Sequence, residues 1–219
     1  MNNNNNNNNN NKVKKRVAYL GGSFDPPTLA HIQVACEIYN KIDNIDEVWI
    51  SPCGDGRIDK SLKTPFIHRL NMLKLIKDDI LNDNIPIIIN DYEGKNKWSP
   101  TLFLMRELNK KFPDKEFVFV IGSDLYEKIQ YWKPDPIQLC EEVEFIIICR
   151  NEYPFVANKP GIIYPNKYQL LDLNIYGSST EIRNRIKNDN KNKLNYSINA
   201  LTSKKVINYI IENKLYNIN

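Results

Sequence analysis

Short apolar runs rich in β-branched and aromatic residues recur at positions 17–20, 47–51, 85–90, 117–122 and 144–149, with the length and composition expected of strands. Between them the apolar positions change to helical spacing. After Thr28, the residues Leu29, Ile32, Cys36 and Tyr39 fall on one face of a predicted helix. Thr64-Pro65 and Ser99-Pro100 each place a cap residue before a proline at a first helical position. Alternating strands and helices predict an α/β fold: a Rossmann-like, doubly wound, mainly parallel sheet of five or six strands with helices on both faces. Ligands of such sheets bind beyond the C-terminal strand ends. The loops after Leu20, Ser51 and Gly122 therefore converge on one crevice, and the site is assembled from distant segments.

Composition narrows the class. An unbroken asparagine tract at 2–11 has no apolar face to bury, so residues 1–14 are expected to be a disordered tail. Residues 15–219 are expected to form a single domain that ends in a helical segment, long enough to bury a core without disulfides or metal. Cys36, Cys53, Cys140 and Cys149 form no C-x-x-C pair, which points to reduced thiols in the cytoplasm, with the nucleus as the alternative. His31 and His68 are the two histidines, too few for a zinc site, and no metal ligand is assigned. The net charge of +4 is spread over scattered lysines, which argues against a nucleic-acid partner. No apolar run is long enough to span a bilayer, and the N-terminus lacks the apolar core of a signal peptide. Homo-oligomerisation stays open.

Residues 17–31, VAYLGGSFDPPTLAH, carry the candidate chemistry. A strand that breaks through Gly21-Gly22 into a helix start gathers free backbone N–H groups at the positive end of a helix dipole, a setting that suits phosphate. The stretch matches neither a dinucleotide fingerprint nor a P-loop. Thr28 and His31, three apart, share the first helical turn and both can donate to one anion. The structural alternative is a plain turn, with Thr28 an N-cap and His31 a polar surface residue.

A second helix start reads Gly177-Ser178-Ser179-Thr180-Glu181-Ile182-Arg183. Ser178 and Glu181 have capping-box spacing, which needs no ligand. Three consecutive hydroxyls nevertheless exceed what one cap uses, and the dipole disfavours a cation as early as Arg183. An anion there would resolve the conflict. The two helix starts together suggest a polyphosphate held between them.

GGSFDPPTLAH followed by SSTEIR resembles the nucleotidyltransferase superfamily, and within it the nicotinate and nicotinamide mononucleotide adenylyltransferases. Further segments are similar in the same order: Ser51-Pro52 with Gly54-Asp55, PFIHRLNM at 65–72, Trp98-Ser99-Pro100-Thr101, Gly122-Ser123-Asp124, Trp132, Cys149-Arg150 and the closing helix at 206–216. Thr28 stands where the family often has His, Ala30 where it has Gly, Pro100 where bacterial members have Tyr, and Asp59 near a nucleotide-contacting lysine.

The resemblance implies adenylyl transfer from ATP to nicotinate mononucleotide, with nicotinamide mononucleotide as a second substrate and Mg2+ carried on the ATP phosphates. The catalytic residues implied are His31, Thr28 and Arg183. For ATP it implies Gly21, Gly22, Ser23, Phe24 and His31, then Gly122 and Asp124, then Ser178, Ser179, Thr180 and Arg183. For the mononucleotide it implies Ser23, Lys60, Trp98, Thr101, Tyr131, Trp132 and Arg150. Read from the residues alone, Trp98 and Trp132 are equally core aromatics, Asp124 a helix cap, and Arg150 half of a surface ion pair. The competing functions are a phosphopantetheine adenylyltransferase, a cytidylyltransferase, and a non-catalytic nucleotide-binding module.

Overall fold

The computed structural model describes residues 13–217 except 57–61, 63, 82–83, 96–98, 151–152, 158 and 189–196. The expectations for the asparagine tract, Lys60 and Trp98 lie outside the described residues. Six parallel strands form one sheet in the order β3-β2-β1-β4-β5-β6. They are β1 (Lys15–Gly22), β2 (Glu47–Pro52), β3 (Ile87–Ile89), β4 (Lys115–Gly122), β5 (Phe145–Cys149) and β6 (Tyr168–Asp172). The order reverses direction between β1 and β4, so their C-terminal ends flank the crevice expected of a doubly wound sheet.

Alternation along each strand builds two cores. Ala18, Val48, Ile50, Val118, Val120, Ile146 and Ile148 point to one face. Helices α1 (Leu29–Lys41), α2 (Phe66–Ile80), α7 (Ser179–Lys187) and α8 (Lys204–Glu212) cover it. Tyr19, Trp49, Phe117, Phe119, Phe145 and Ile147 point to the other, beneath α4 (Thr101–Lys111), α6 (Pro136–Glu142) and the short α5 (Ser123–Tyr126). A four-residue α3 (Tyr92–Lys95) follows β3. Central strands buried on both faces read as continuous apolar runs, which is why they were recognisable.

Several boundaries and one helix face differ from expectation. The run at 85–90 contracts to the three residues of β3. β6, a strand at the sheet edge, was not foreseen, because YQLLD carries no β-branched residue and buries only Leu171. Helices α2 and α4 begin one residue later than expected, with Pro65 and Pro100 as N-caps that make no side-chain cap bond. The closing helix stops at Glu212, and a 3-10 turn, Leu215–Asn217, follows. The buried face of α1 is Ala30, Ile32, Val34, Ala35 and Ile38, whereas Tyr39 is 38% exposed. Ile32 is common to the expected and the observed face, and Leu29 and Cys36 pack partly buried against the same core, so that of the expected four only Tyr39 turns outward.

Candidate active site

Two hollows open where the strands end. One, of ≈ 540 Å³, lies between the starts of α1 and α7, with Ser23, His31, Ser178, Thr180 and Arg183 in its wall. The other, of ≈ 370 Å³, has Gly22, Thr101, Phe119, Asp124 and Trp132 in its wall. Phe24, His31, Val34 and Arg150 line both, so the hollows are adjacent and share a wall.

The turn joining β1 to α1 is hung by its carbonyls. Arg69 Nη1 donates to Ser23 O (2.9 Å), Arg183 Nη1 to Asp25 O (2.6 Å), Ser179 Oγ to Pro26 O (2.7 Å) and Thr202 Oγ1 to Pro27 O (2.9 Å). Each donor comes from a distant part of the chain. Within the turn, Phe24 adopts the left-handed region (φ 50°) with its side chain buried, its ring edge-on to His31 at 4.9 Å. Gly22 makes room for that ring: a Cβ there would stand 2.9 Å from Phe24 Cζ.

His31 has a defined protonation state. Thr28 N–H donates to His31 Nδ1 (2.9 Å) while Thr28 Oγ1 accepts from His31 N–H, closing a capping box with histidine in the place usually taken by Glu or Gln. A backbone N–H can only donate, so Nδ1 is the acceptor and the ring proton sits on Nε2. Burial, then the positive charge of Arg150, pushes the imidazole down to about 4. At neutral pH His31 is therefore an uncharged N–H donor.

The hydroxyls of the second motif bond within the protein, Ser178 and Thr180 as acceptors that keep their O–H donors. Ser178 Oγ caps Glu181 N–H (3.1 Å), Ser179 holds Pro26 O, and Thr180 Oγ1 accepts from Arg183 Nη2 (3.0 Å). The expected reciprocal half of a capping box at Ser178 is absent among the described bonds, since the Glu181 carboxylate pairs with Arg185 one turn on. The complete box stands at α1 instead. Thr28, expected to donate to an anion, is fully buried and serves as the cap that orients His31.

The second hollow sets aromatic rings beside charged and hydroxyl side chains. Trp132 stands edge-on to Phe119 at 6.3 Å, and Asp124 sits in the first turn of α5, its carboxylate filling the space a Cβ on Gly122 would need. The buried carboxylate of Glu93, which sequence reasoning passed over, lines the same hollow and accepts from Tyr19 O–H (2.9 Å).

Residues 19–185 match the model of the cytidylyltransferase-like family. A protein of Acholeplasma laidlawii described as a probable nicotinate-nucleotide adenylyltransferase is 30% identical over 203 residues, covering 91% of this chain and 97% of the relative. One from Halalkalibacterium halodurans, described in the same words, is 34% identical over 212 residues, covering 94% and 93%. The chain belongs to the nicotinate-nucleotide adenylyltransferases of the cytidylyltransferase-like family.

The solved structure of Plasmodium falciparum nicotinic acid mononucleotide adenylyltransferase complexed with NaAD superposes with a TM-score of 0.77 at 32% identity, covering 94% of this chain and 98% of that one. The same enzyme complexed with APC gives 0.73 at 30% identity. For a nicotinate-nucleotide adenylyltransferase, the motif residues at the two ends of this chain meet as their order implies. His31, Arg183, Ser23 and Phe24 face one hollow, while Gly21, Gly22, Gly122 and Asp124, read from sequence for the ATP side, line the hollow that holds Trp132 and Thr101. Arg150 stands at the junction. Tyr131 lines neither hollow and is 75% exposed, because its 3-10 turn directs the neighbouring Trp132 inward.

Arg69 was the main omission. It is 0% exposed and ties Ser23 O, Cys53 O, Thr64 O and the Asp55 carboxylate together, joining the loops after β1 and β2. Its signal was legible: an arginine at helical spacing with Met72, Leu73 and Ile76, on the apolar face of α2.

Proposed function

We infer that the protein transfers the adenylyl group of ATP to nicotinate mononucleotide, releasing pyrophosphate and forming nicotinate adenine dinucleotide. The observation that carries this reading is the placement of His31 and Arg150 at the junction of two hollows. One hollow lies between two helix N-termini and is suited to phosphates; the other is walled by aromatic rings and is suited to a flat pyridine.

The chemistry asks for little proton transfer. A phosphate monoester has its second pKa near about 6, so at pH 7 the mononucleotide phosphate is already largely ionised and attacks the α-phosphorus without a protein base. What remains is alignment and stabilisation of charge on the α-phosphate and the leaving pyrophosphate. A neutral His31 with its proton on Nε2 matches that role, as a fixed donor and not as a base. Arg183, Arg150 and the starts of α1 and α7 supply positive potential around it. Thr28 acts through His31 by holding Nδ1.

Mg2+ fits as a passenger on the nucleotide. Beside apolar side chains and the Asp25 carboxylate, the first hollow presents His31, Arg150, Arg183 and hydroxyls, which would hold the phosphates that carry the ion. So carried, the ion would neutralise part of the polyphosphate charge. The four free thiols suit a reducing compartment such as the cytoplasm. Among the described residues, no helix is long and apolar enough to cross a membrane.

The test is incubation of the purified chain with ATP and nicotinate mononucleotide, following dinucleotide and pyrophosphate together. Equimolar formation of both is expected, with a lower kcat/KM for the nicotinamide analogue. Formation of neither product, or preference for phosphopantetheine or a cytidine nucleotide, would refute the reading.

A further inference from the structure

The second hollow has a cation of its own. Arg183 lines the first hollow alone and Arg150 lines both, whereas Lys128 is in the wall of the second alone. Its place is set by the segment after β4, which the buried side chains of Tyr126 and Ile129 anchor in the core. Lys128 N–H donates to Leu125 O (2.9 Å), Lys128 O accepts from Tyr131 N–H (2.9 Å), and Trp132 N–H closes the 3-10 turn Ile129–Tyr131 on Ile129 O (2.8 Å). The backbone at 128 is therefore fixed through both its polar groups. The turn presents Lys128 and Trp132, four positions apart, to the same hollow, and Lys128 is exposed, which places it at the rim.

The acids around this lysine are engaged elsewhere. Glu127 pairs with Lys159 (2.7 Å), Asp124 lies against Gly122, where Arg150 Nη2 also stands, and Glu93 accepts from Tyr19 O–H. Among the described residues no carboxylate is bonded to the Lys128 ammonium group.

Nicotinate mononucleotide carries two anionic groups at opposite ends. Its phosphate must reach the reacting centre at the junction, so its ring lies in the second hollow with the ring carboxylate on the side away from the phosphate. The nicotinamide analogue differs in presenting a neutral carboxamide there. An ammonium group offers three donors and no acceptor, and its bond to a carboxylate is roughly twice as strong as one to a neutral oxygen.

We propose that Lys128 is a specificity-determining residue, which makes the second hollow prefer nicotinate over nicotinamide mononucleotide by pairing with the ring carboxylate. The proposal rests on the reaction inferred above and adds to it the group that chooses the substrate.

The experiment compares kcat/KM for the two mononucleotides, at saturating ATP, in the wild type, Lys128→Gln and Lys128→Arg. The exposed position tolerates both substitutions. In Lys128→Gln, kcat/KM for nicotinate mononucleotide should fall about five- to twentyfold. The loss should lie in KM, with kcat within about twofold, because a carboxylate remote from the α-phosphorus is held alike in the ground and transition states. The value for nicotinamide mononucleotide and the KM for ATP should each move by less than about twofold. Lys128→Arg should keep the preference, and raising the ionic strength should shrink it in the wild type and not in Lys128→Gln. Equal losses for both mononucleotides would overturn the proposal, since they would put the ammonium group on a part the substrates share. An unchanged preference in Lys128→Gln, or a wild type that prefers the nicotinamide analogue, would overturn it too. Those outcomes leave adenylyl transfer standing, whereas a wild type that forms dinucleotide from neither mononucleotide refutes the reaction and the proposal with it.

Discussion

The two hollows share one wall and differ in how they are held. Around the first, the carbonyls of residues 23, 25, 26 and 27 are each taken by a side chain from α2, α7 or the segment before α8. Around the second, shape comes from rings: Trp132 on Phe119, and Phe119 on Tyr19 and Phe145. A hydrogen-bonded frame has few acceptable geometries, whereas ring packing tolerates small shifts. The phosphate end is therefore sensitive to substitutions far from it in sequence, and the pyridine end chiefly to its own aromatic wall.

The largest expected effect is at the shared wall. His31→Ala removes a donor aimed at developing charge, and kcat should fall by roughly 10² to 10³ with the fold intact. A turnover within threefold of wild type, measured as pyrophosphate release, would remove His31 from the chemistry. Thr28→Val keeps the volume but removes the side-chain half of the capping box, so its loss of kcat should be smaller and accompanied by lower stability.

Arg69→Met tests the frame itself. The substitution leaves three buried carbonyls without their donor and should lower unfolding stability by about 2 to 4 kcal/mol. Because Ser23 O and Cys53 O lose their shared anchor, ATP KM should rise more than mononucleotide KM. Equal changes in the two would mean that Arg69 supports the whole sheet edge and not one hollow.

The same contrast explains what could be read in advance. Central strands announced themselves as apolar runs because both faces are buried, and the helix starts through Pro-Pro-Thr and Gly-Ser-Ser punctuation. Those signals are local. The engagement of Ser179 with Pro26 O, of Thr202 with Pro27 O and of Tyr216 with Asp25 depends on which segments meet, and no residue carries its partner's identity. The three hydroxyls at 178–180 read from sequence as donors to a ligand; Ser179 gives its proton to Pro26 O, whereas Ser178 and Thr180 accept bonds and keep theirs. At α1 the apolar spacing located the core side through Ile32, Leu29 and Cys36, and missed that Tyr39 lies past its edge.

Trp132→Ala probes the ring-built hollow, where a neighbouring change should stay local. Loss of one stacking surface should raise the KM for nicotinate mononucleotide roughly tenfold. The KM for ATP should move by less than about twofold, since the four ties on the 23–27 turn remain. If both rise together, the hollows are coupled through the Phe24 and His31 wall.

Acid offers the smallest and most selective effect, through that same wall. His31 in the fold is pushed down to about 4, below the ordinary 6.5, by burial and by Arg150. Above pH 6.5 the imidazole is neutral in the folded and unfolded chain alike, so it adds no pH dependence there. Between 6.5 and about 4 the unfolded chain takes up a proton that the folded chain refuses, so stability falls with pH across this window and levels off below it. His31→Gln cannot titrate, and its Tm should decline less over that interval than the wild type's. A saturating ATP analogue places anionic oxygens near the ring, raises the folded value and should flatten the wild-type decline; an anion bound only in the far hollow would leave it unchanged.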